Sequence, residues 1–220
     1  MVQHMDAHVD DDLFRTWLSG WSACRGYDLR DDGRTTSVLR IDQRDLTEHF
    51  LLEPDPDLFL EVSEEIREDP LQLLTVVTNR MPELLHVAEP LGMRVTDQGQ
   101  NLMSVEMFGQ DVEDPPTPGD VFRLERTSEG ACHRVTVHAH GEIAARGSVA
   151  VVGEHAVYDR IATEDRFRRR GLGSYVMRAL TAAVLQDDVT TGLLMASTEG
   201  RALYEFLGWR HLADVFVIRG

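Results

Sequence analysis

Lysine is absent from this chain: all 22 of its Lys/Arg positions are arginine. A Walker A loop, which needs Gly-Lys-Ser/Thr around the phosphates, is thereby excluded. Cysteine is scarce, and Cys24 and Cys132 lie far apart and outside any CxxC pair. We read both as small buried residues with reduced thiols, in a cytoplasmic protein. No apolar run approaches the length of a membrane span. The first residues, MVQHMDAHVDDDLF, lack the basic-then-apolar order of a secretory signal. Net positive charge is lacking too: the formal charge is −16. Nucleic acid and anionic membranes are therefore not expected partners.

What the chain does have is enough length and apolar content for a substantial core. Its 220 residues, 42% hydrophobic, allow one large domain or two small lobes. Charge is distributed unevenly: about 22 acids and 9 arginines fall in residues 1–110, against about 16 acids and 13 arginines in the rest. On this acidic background Arg160, Arg166, Arg168, Arg169 and Arg170 form a local positive patch. One basic pocket in an acidic protein suits a polyanionic cofactor, and the acidity hints at a cationic acceptor.

The patch lies in AVYDRIATEDRFRRRGLGSYVMRALTA, residues 156–182. A strand-like run, 156–163, leads into Arg168-Arg169-Arg170-Gly171-Leu172-Gly173. A helical pattern follows at once, with Leu172, Val176, Leu180 and Val184 spaced by four. Glycines let the backbone approach an anion. The first helical N–H groups have no partner within the helix and lie at its positive end. Arginines add forked donors. A dinucleotide fingerprint needs a third glycine where Val176 stands, so this cradle is of another kind.

Arg168-x-x-Gly171-x-Gly173 resembles the acetyl-CoA pyrophosphate loop of the GNAT superfamily of N-acetyltransferases. STEGRALYEFLGW, residues 197–209, resembles that family's second signature. Leu203-Tyr204 and Leu207-Gly208-Trp209 match it, while Ser197 stands in the place of the usual Asn and Gly200 in that of Ala. The resemblance covers roughly the last 100 residues. It implies an α/β fold with a mixed, mostly antiparallel sheet flanked by helices. It also implies acetyl-CoA held by Arg168, Arg169, Arg170, Gly171, Leu172, Gly173 and Ser174 at the pyrophosphate. Ile161, Ala162 and Thr163 would lie along the pantetheine, with Ser197 and Tyr204 also touching the cofactor. Tyr204 is the expected general acid for the leaving thiolate, and Asp159, sharing a face with Ile161 by strand alternation, the expected base. The expected reaction is direct transfer of acetyl to a primary amine of a small acceptor, without a metal or a covalent intermediate. The chain would act as a monomer or a homodimer. The alternatives are an acyl-CoA-binding regulatory module without turnover and a protein-interaction platform in the acidic lobe.

The rest of the chain divides as a disordered tail over 1–9, a divergent GNAT-like lobe over 10–108, an acidic proline-rich linker over 109–120, and the cofactor-binding domain over 121–220. Helices are expected over 10–25, 57–68, 82–88, 172–186 and 198–207. Strands are expected over 35–41, 49–53, 74–77, 102–107, 121–126, 132–138, 143–152, 156–163, 192–196 and 209–218. HVAEPLGMRV at 86–95 and LYEFLGWRHL at 203–212 hint at an internal duplication of two-lobed bacterial type. In the first lobe the turn matching the phosphate loop is LLEPDPDL; without glycine and with Glu53, Asp55 and Asp57, it would repel a pyrophosphate. Trp17 and Trp21 read as core. His138 and His140 read as solvent-facing, with no third ligand for a metal.

Overall fold

The computed structural model describes residues 9–43, 45–110 and 115–220. Most of the tail expected over 1–9, and residues 111–114 of the linker, lie outside these. Among the described residues, five α-helices fall where the apolar periodicity puts them: α1 (Asp11–Arg25), α2 (Pro56–Ile66), α3 (Met81–Ala88), α4 (Leu172–Val184) and α5 (Thr198–Phe206). The strands are β1 (Leu29–Asp31), β2 (Thr36–Arg40), β3 (Leu46–Leu52), β4 (Gln72–Thr78), β5 (Arg94–Glu106), β6 (Phe122–Glu129), β7 (Cys132–Ala139), β8 (Glu142–Val152), β9 (His155–Thr163), β10 (Thr191–Ala196) and β11 (Arg210–Arg219). The fold is mixed α/β with mostly antiparallel strand pairs and flanking helices. Strand β1 is short and exposed and gives no alternation. Strand β5 begins well before its apolar part, because residues 94–100 lie exposed or half-exposed and carry no pattern.

Two compact units are formed, and they do not follow the boundary expected at the linker. The first comprises the described residues to Arg15, Gly26–Met103 and Met195–Gly220. Its strand order is β1-β2-β3-β4-β11-β5. The chain's last strand, expected in the cofactor-binding domain, here pairs antiparallel with β4, from Asp214↔Thr78 to Ile218↔Leu74. The parallel pair β3–β4 is connected by α2, whose Phe59, Val62 and Ile66 pack with Leu84 and Ala88 of α3 on Leu74, Val76 and Phe216. Phe59 meets Phe216 edge-on at 5.9 Å. The LLEPDPDL turn is held by its own acids. Glu53 accepts from Thr78 Oγ1 and the Asn79 N–H, and Asp55 caps α2 by accepting from the Leu58 N–H. The suspected duplication has a local counterpart: α3 passes to β5 through Gly92 and α5 to β11 through Gly208, both with positive φ.

The second unit comprises Thr16–Arg25 and Ser104–Leu194. Its strand order is β10-β9-β8-β7-β6. Strands β6 to β9 form an antiparallel meander, and β10 returns parallel to β9. On one face lies α4, with Leu172, Val176, Leu180 and Val184 all buried. The later turns of α1 lie within this unit. Trp17 and Trp21 stack at 5.8 Å and are buried, as expected of core. Gly20 sets how closely α1 packs on the sheet. A Cβ there would stand 2.5 Å from Val157 Cβ, so only glycine allows α1 to lie this close to β9.

The cysteines correct the sequence reading. Cys24 at the end of α1 and Cys132 at the start of β7 form a disulfide, with Cα atoms 5.4 Å apart. Neither is a free thiol, and the cytoplasmic reading loses the support it drew from them.

Candidate functional site

The site of interest is built where β9 gives way to α4, wholly within the second unit. Chain direction turns through a short 3₁₀ segment, Asp165–Phe167. Phe167 is buried and meets Phe122 edge-on. The guanidinium groups of Arg166 and Arg170 lie over its ring at 4.8 and 5.7 Å. This one apolar anchor fixes the loop, so that the arginines flanking it stay at the surface. Arg166 also pairs with Glu142, and Arg168 reaches both Asp165 and the carbonyl of Thr163, the last residue of β9.

Two residues of the loop have left-handed backbone, Arg169 (φ 62°) and Gly171 (φ 76°). Gly171 is the N-cap of α4 and gives it no side-chain cap. The other helices differ. In α1, α2 and α5 the side chains of Asp10, Asp55 and Ser197 accept from a first-turn N–H, and α3 starts with a proline in its first turn. The N–H groups of Leu172, Gly173 and Ser174 therefore meet no cap from their own helix start, beside a run of arginines. The turn suits a phosphate: exposed arginines stand beside a glycine-flanked helix start with N–H donors.

The strand leading into the loop is irregular in a way that matters. Ser148 pairs with Asp159 and Arg146 with Ala162, so Arg160 and Ile161 together oppose the single residue Gly147. This is a β-bulge, and Arg160 sits in it with φ 54°. One consequence overturns an expectation. Asp159 and Ala162 share a face, because their partners Ser148 and Arg146 do; Ile161 is on the other. Asp159 and Ile161 therefore do not share a face, as plain alternation would have it. A second irregularity lies on the other edge of β9. Its parallel ladder with β10 runs from His155↔Thr191 to Tyr158↔Leu194 and goes no further. The stretch 159–163 thus extends beyond the ladder, leaving backbone groups for another partner.

Tyr158, the last residue of that ladder, is an anchor. Its hydroxyl is 2.8 Å from Thr181 Oγ1 of α4, and burial pushes its phenol well above the ordinary value. Gly147, opposite the bulge, seats α4. A Cβ there would stand 2.5 Å from Ile161, 2.8 Å from Val176 and 3.0 Å from Leu180. Gly147→Val is therefore expected to push α4 off the sheet, at about 1–3 kcal/mol. Thermal denaturation should show the loss; an unchanged melting temperature would mean that the helix has room to yield.

The remaining expected residues are placed as follows. Asp159 is held by Arg25, at the end of α1, through two bonds of 2.7 and 2.8 Å. Both side chains are largely buried, at 11% and 15% exposure. Ser197 caps α5 by accepting from the Gly200 N–H at 3.1 Å. Tyr204 is buried on α5, packed edge-on against Trp209 at 6.0 Å. Ser197 and Tyr204 belong to the first unit, the arginine–glycine loop to the second. His138 lies 2.9 Å from Glu125. Among the described residues no group of three or more His, Cys, Asp or Glu is placed to hold a metal. Sequence reasoning missed Arg25, whose partner is far away in the chain and carries no motif.

The FR47-like protein family matches residues 130–217. A Bacillus subtilis (strain 168) protein named "Putative acetyltransferase" is 26% identical over 110 residues, half of this chain and 75% of that protein. Among solved structures, a GCN5-related N-acetyltransferase from Kribbella flavida aligns over 99% of this chain and 96% of its own, with a TM-score of 0.65 and 15% identity. A tandem GNAT protein from the clavulanic acid biosynthesis pathway aligns over 88% of this chain and 83% of its own, with a TM-score of 0.58 and 13% identity. Residues 130–217 thus resemble the FR47-like family, in a chain that has the fold of the GCN5-related N-acetyltransferases.

Proposed function

We propose that this chain is an acyltransferase that moves the acetyl group of acetyl-CoA to the primary amine of a small acceptor by direct attack. The observation that carries the reading is the start of α4. A left-handed glycine opens that helix without a cap, next to Arg168, Arg169 and Arg170. The pyrophosphate would lie on the N–H groups of Leu172, Gly173 and Ser174. The pantetheine would follow residues 161–163, where β9 continues past its ladder with β10. A backbone N–H near Ile161 would donate to the oxyanion, and Tyr204 would protonate the leaving thiolate. Asp159 has both oxygens on Arg25, which suits a group that positions β9 better than one that collects a proton; the amine would lose its proton to solvent water as the amide forms. Ser197, already engaged as a cap, supports the start of α5.

The test is a thermal-shift titration with acetyl-CoA, followed by an amine panel monitored for free thiol. Acetyl-CoA at 100 times its Kd should stabilise by about 2.7 kcal/mol. The shift should shrink for Gly171→Val, whose side chain would be forced to positive φ. No shift with any acyl-CoA would sink the reading. A shift without amine-dependent turnover would favour the regulatory module.

A further inference from the structure

The meander carries a second concave site, on the face of β7, β8 and β9 turned away from α4. Gly147 faces Val176 and Leu180 of α4, so Arg146 and Ser148, one residue to either side, face the opposite way. A cavity of about 480 Å³ opens there, lined by Arg134, Thr136, Arg146, Ser148 and Arg160, with Cys24 at its edge. That volume is in the range of small-molecule sites. Among the described residues, its lining includes three arginines, a serine and a threonine, and no acidic residue.

Each arginine is brought there by a specific device. Arg134 and Ser148 are cross-strand partners, as are Thr136 and Arg146. Arg134 is further fixed by donating to the carbonyl of Cys24 at 3.0 Å, so the disulfide end of α1 holds it. The bulge keeps Arg160 on the same face as Asp159, where regular alternation would have sent it toward α4. Asp159 is bound by Arg25, and Glu129 meets Arg134 at 3.5 Å from an exposed position. In a chain of net charge −16, a cavity with this lining is built for an anion.

We infer that this cavity binds a carboxylate, and that the acceptor is an amine carrying one, of the amino-acid class. The inference rests on the proposed acyltransferase reading, which lays the pantetheine along residues 161–163, next to Arg160. A carboxylate held by the paired forks of Arg146 and Arg160 would leave the amine of the same molecule close to β9. The acidity of the whole chain points to a cationic acceptor; the local charge of this cavity points the other way.

Binding is tested first without acetyl-CoA. Malonate is titrated by calorimetry into the wild type, the Arg146→Ala/Arg160→Ala double variant, and Arg168→Ala. The double variant should weaken malonate at least about tenfold with its circular dichroism unchanged, as expected for loss of charge-assisted bonds. Arg168→Ala, on the proposed pyrophosphate loop, tests whether the anion is held there instead. Loss in Arg168→Ala alone would assign the anion site to the loop and overturn the inference, as would equal binding by all three. Turnover is the second arm: an α-amino acid against its decarboxylated amine, both with acetyl-CoA. The amino acid should lead by about tenfold or more in kcat/KM, and the double variant should erase the difference. Equal rates in the wild type, or a preference for a dicarboxylic acyl-CoA with a neutral amine, would overturn the acceptor assignment. Malonate binding without any acetyl-CoA effect would leave the anion site standing while the acyltransferase reading fell.

Discussion

Reducing the Cys24–Cys132 bond is expected to lower the stability of the second unit by about 4–5 kcal/mol. The bond spans 108 residues, and closing a loop of that order removes roughly this much conformational freedom from the unfolded chain. For a chain of this size the loss corresponds to a fall in Tm of roughly 8–20 °C. Both sulfurs are buried, packed with Ala150. Reduction should therefore be slow and follow local opening of the end of α1. The measurement is a melt before and after reductant, with the thiol count confirming that both sulfurs have been released. Two free thiols with an unchanged Tm would show that packing alone holds α1. The bond also has neighbours of consequence. The Cys24 carbonyl accepts from Arg134, and the next residue, Arg25, grips Asp159. Malonate binding should accordingly weaken on reduction, even at temperatures where the fold persists.

The features that can be read from the sequence are those written in nearby residues. The four-residue spacing of Leu172, Val176, Leu180 and Val184 marks one face of α4, and all four are buried. The arginine–glycine turn is legible because its physics is local: a left-handed cap and a helix start lie side by side in the chain. Trp17 and Trp21 are recognisable as core for the same reason. What escapes is set by partners distant along the chain. Cys24 meets Cys132, and Arg25 meets Asp159, across 108 and 134 residues. Neither pair has a spacing that a single sequence advertises.

The bulge escapes for a subtler reason. Alternation is a rule with a period of two, and one inserted residue inverts it for everything beyond. Nothing about Arg160 itself announces the insertion. Its one trace in the sequence is Gly147 on the neighbouring strand, the place where Ile161 and α4 come close. The last strand shows a further limit. Its apolar residues give β11 its extent but not its partner, and pairing with β4 takes it out of the expected C-terminal domain. In each case the sequence specifies an element, while the choice of neighbour depends on contacts that only the folded chain assembles.

Asp159→Ala is expected to destabilise the chain by about 3–5 kcal/mol, because it leaves the Arg25 guanidinium largely buried without its anion. The Trp21 ring, 4.9 Å from Arg25 Cζ, offsets only part of that cost. Arg25→Met should be similarly harmful, stranding the carboxylate. The double variant Arg25→Met/Asp159→Leu should recover most of the stability, since an apolar pair of similar size has no charge to desolvate. A thermal-melt cycle over the four proteins gives the coupling. The same cycle separates chemistry from positioning when activity is read alongside. If Asp159 only holds β9 and its bulge in place, the double variant regains turnover along with stability, and its pH–rate profile keeps the shape of the wild type. If the carboxylate takes the proton of the amine, stability returns while kcat stays low at every pH, and the positioning role assigned to Asp159 is wrong.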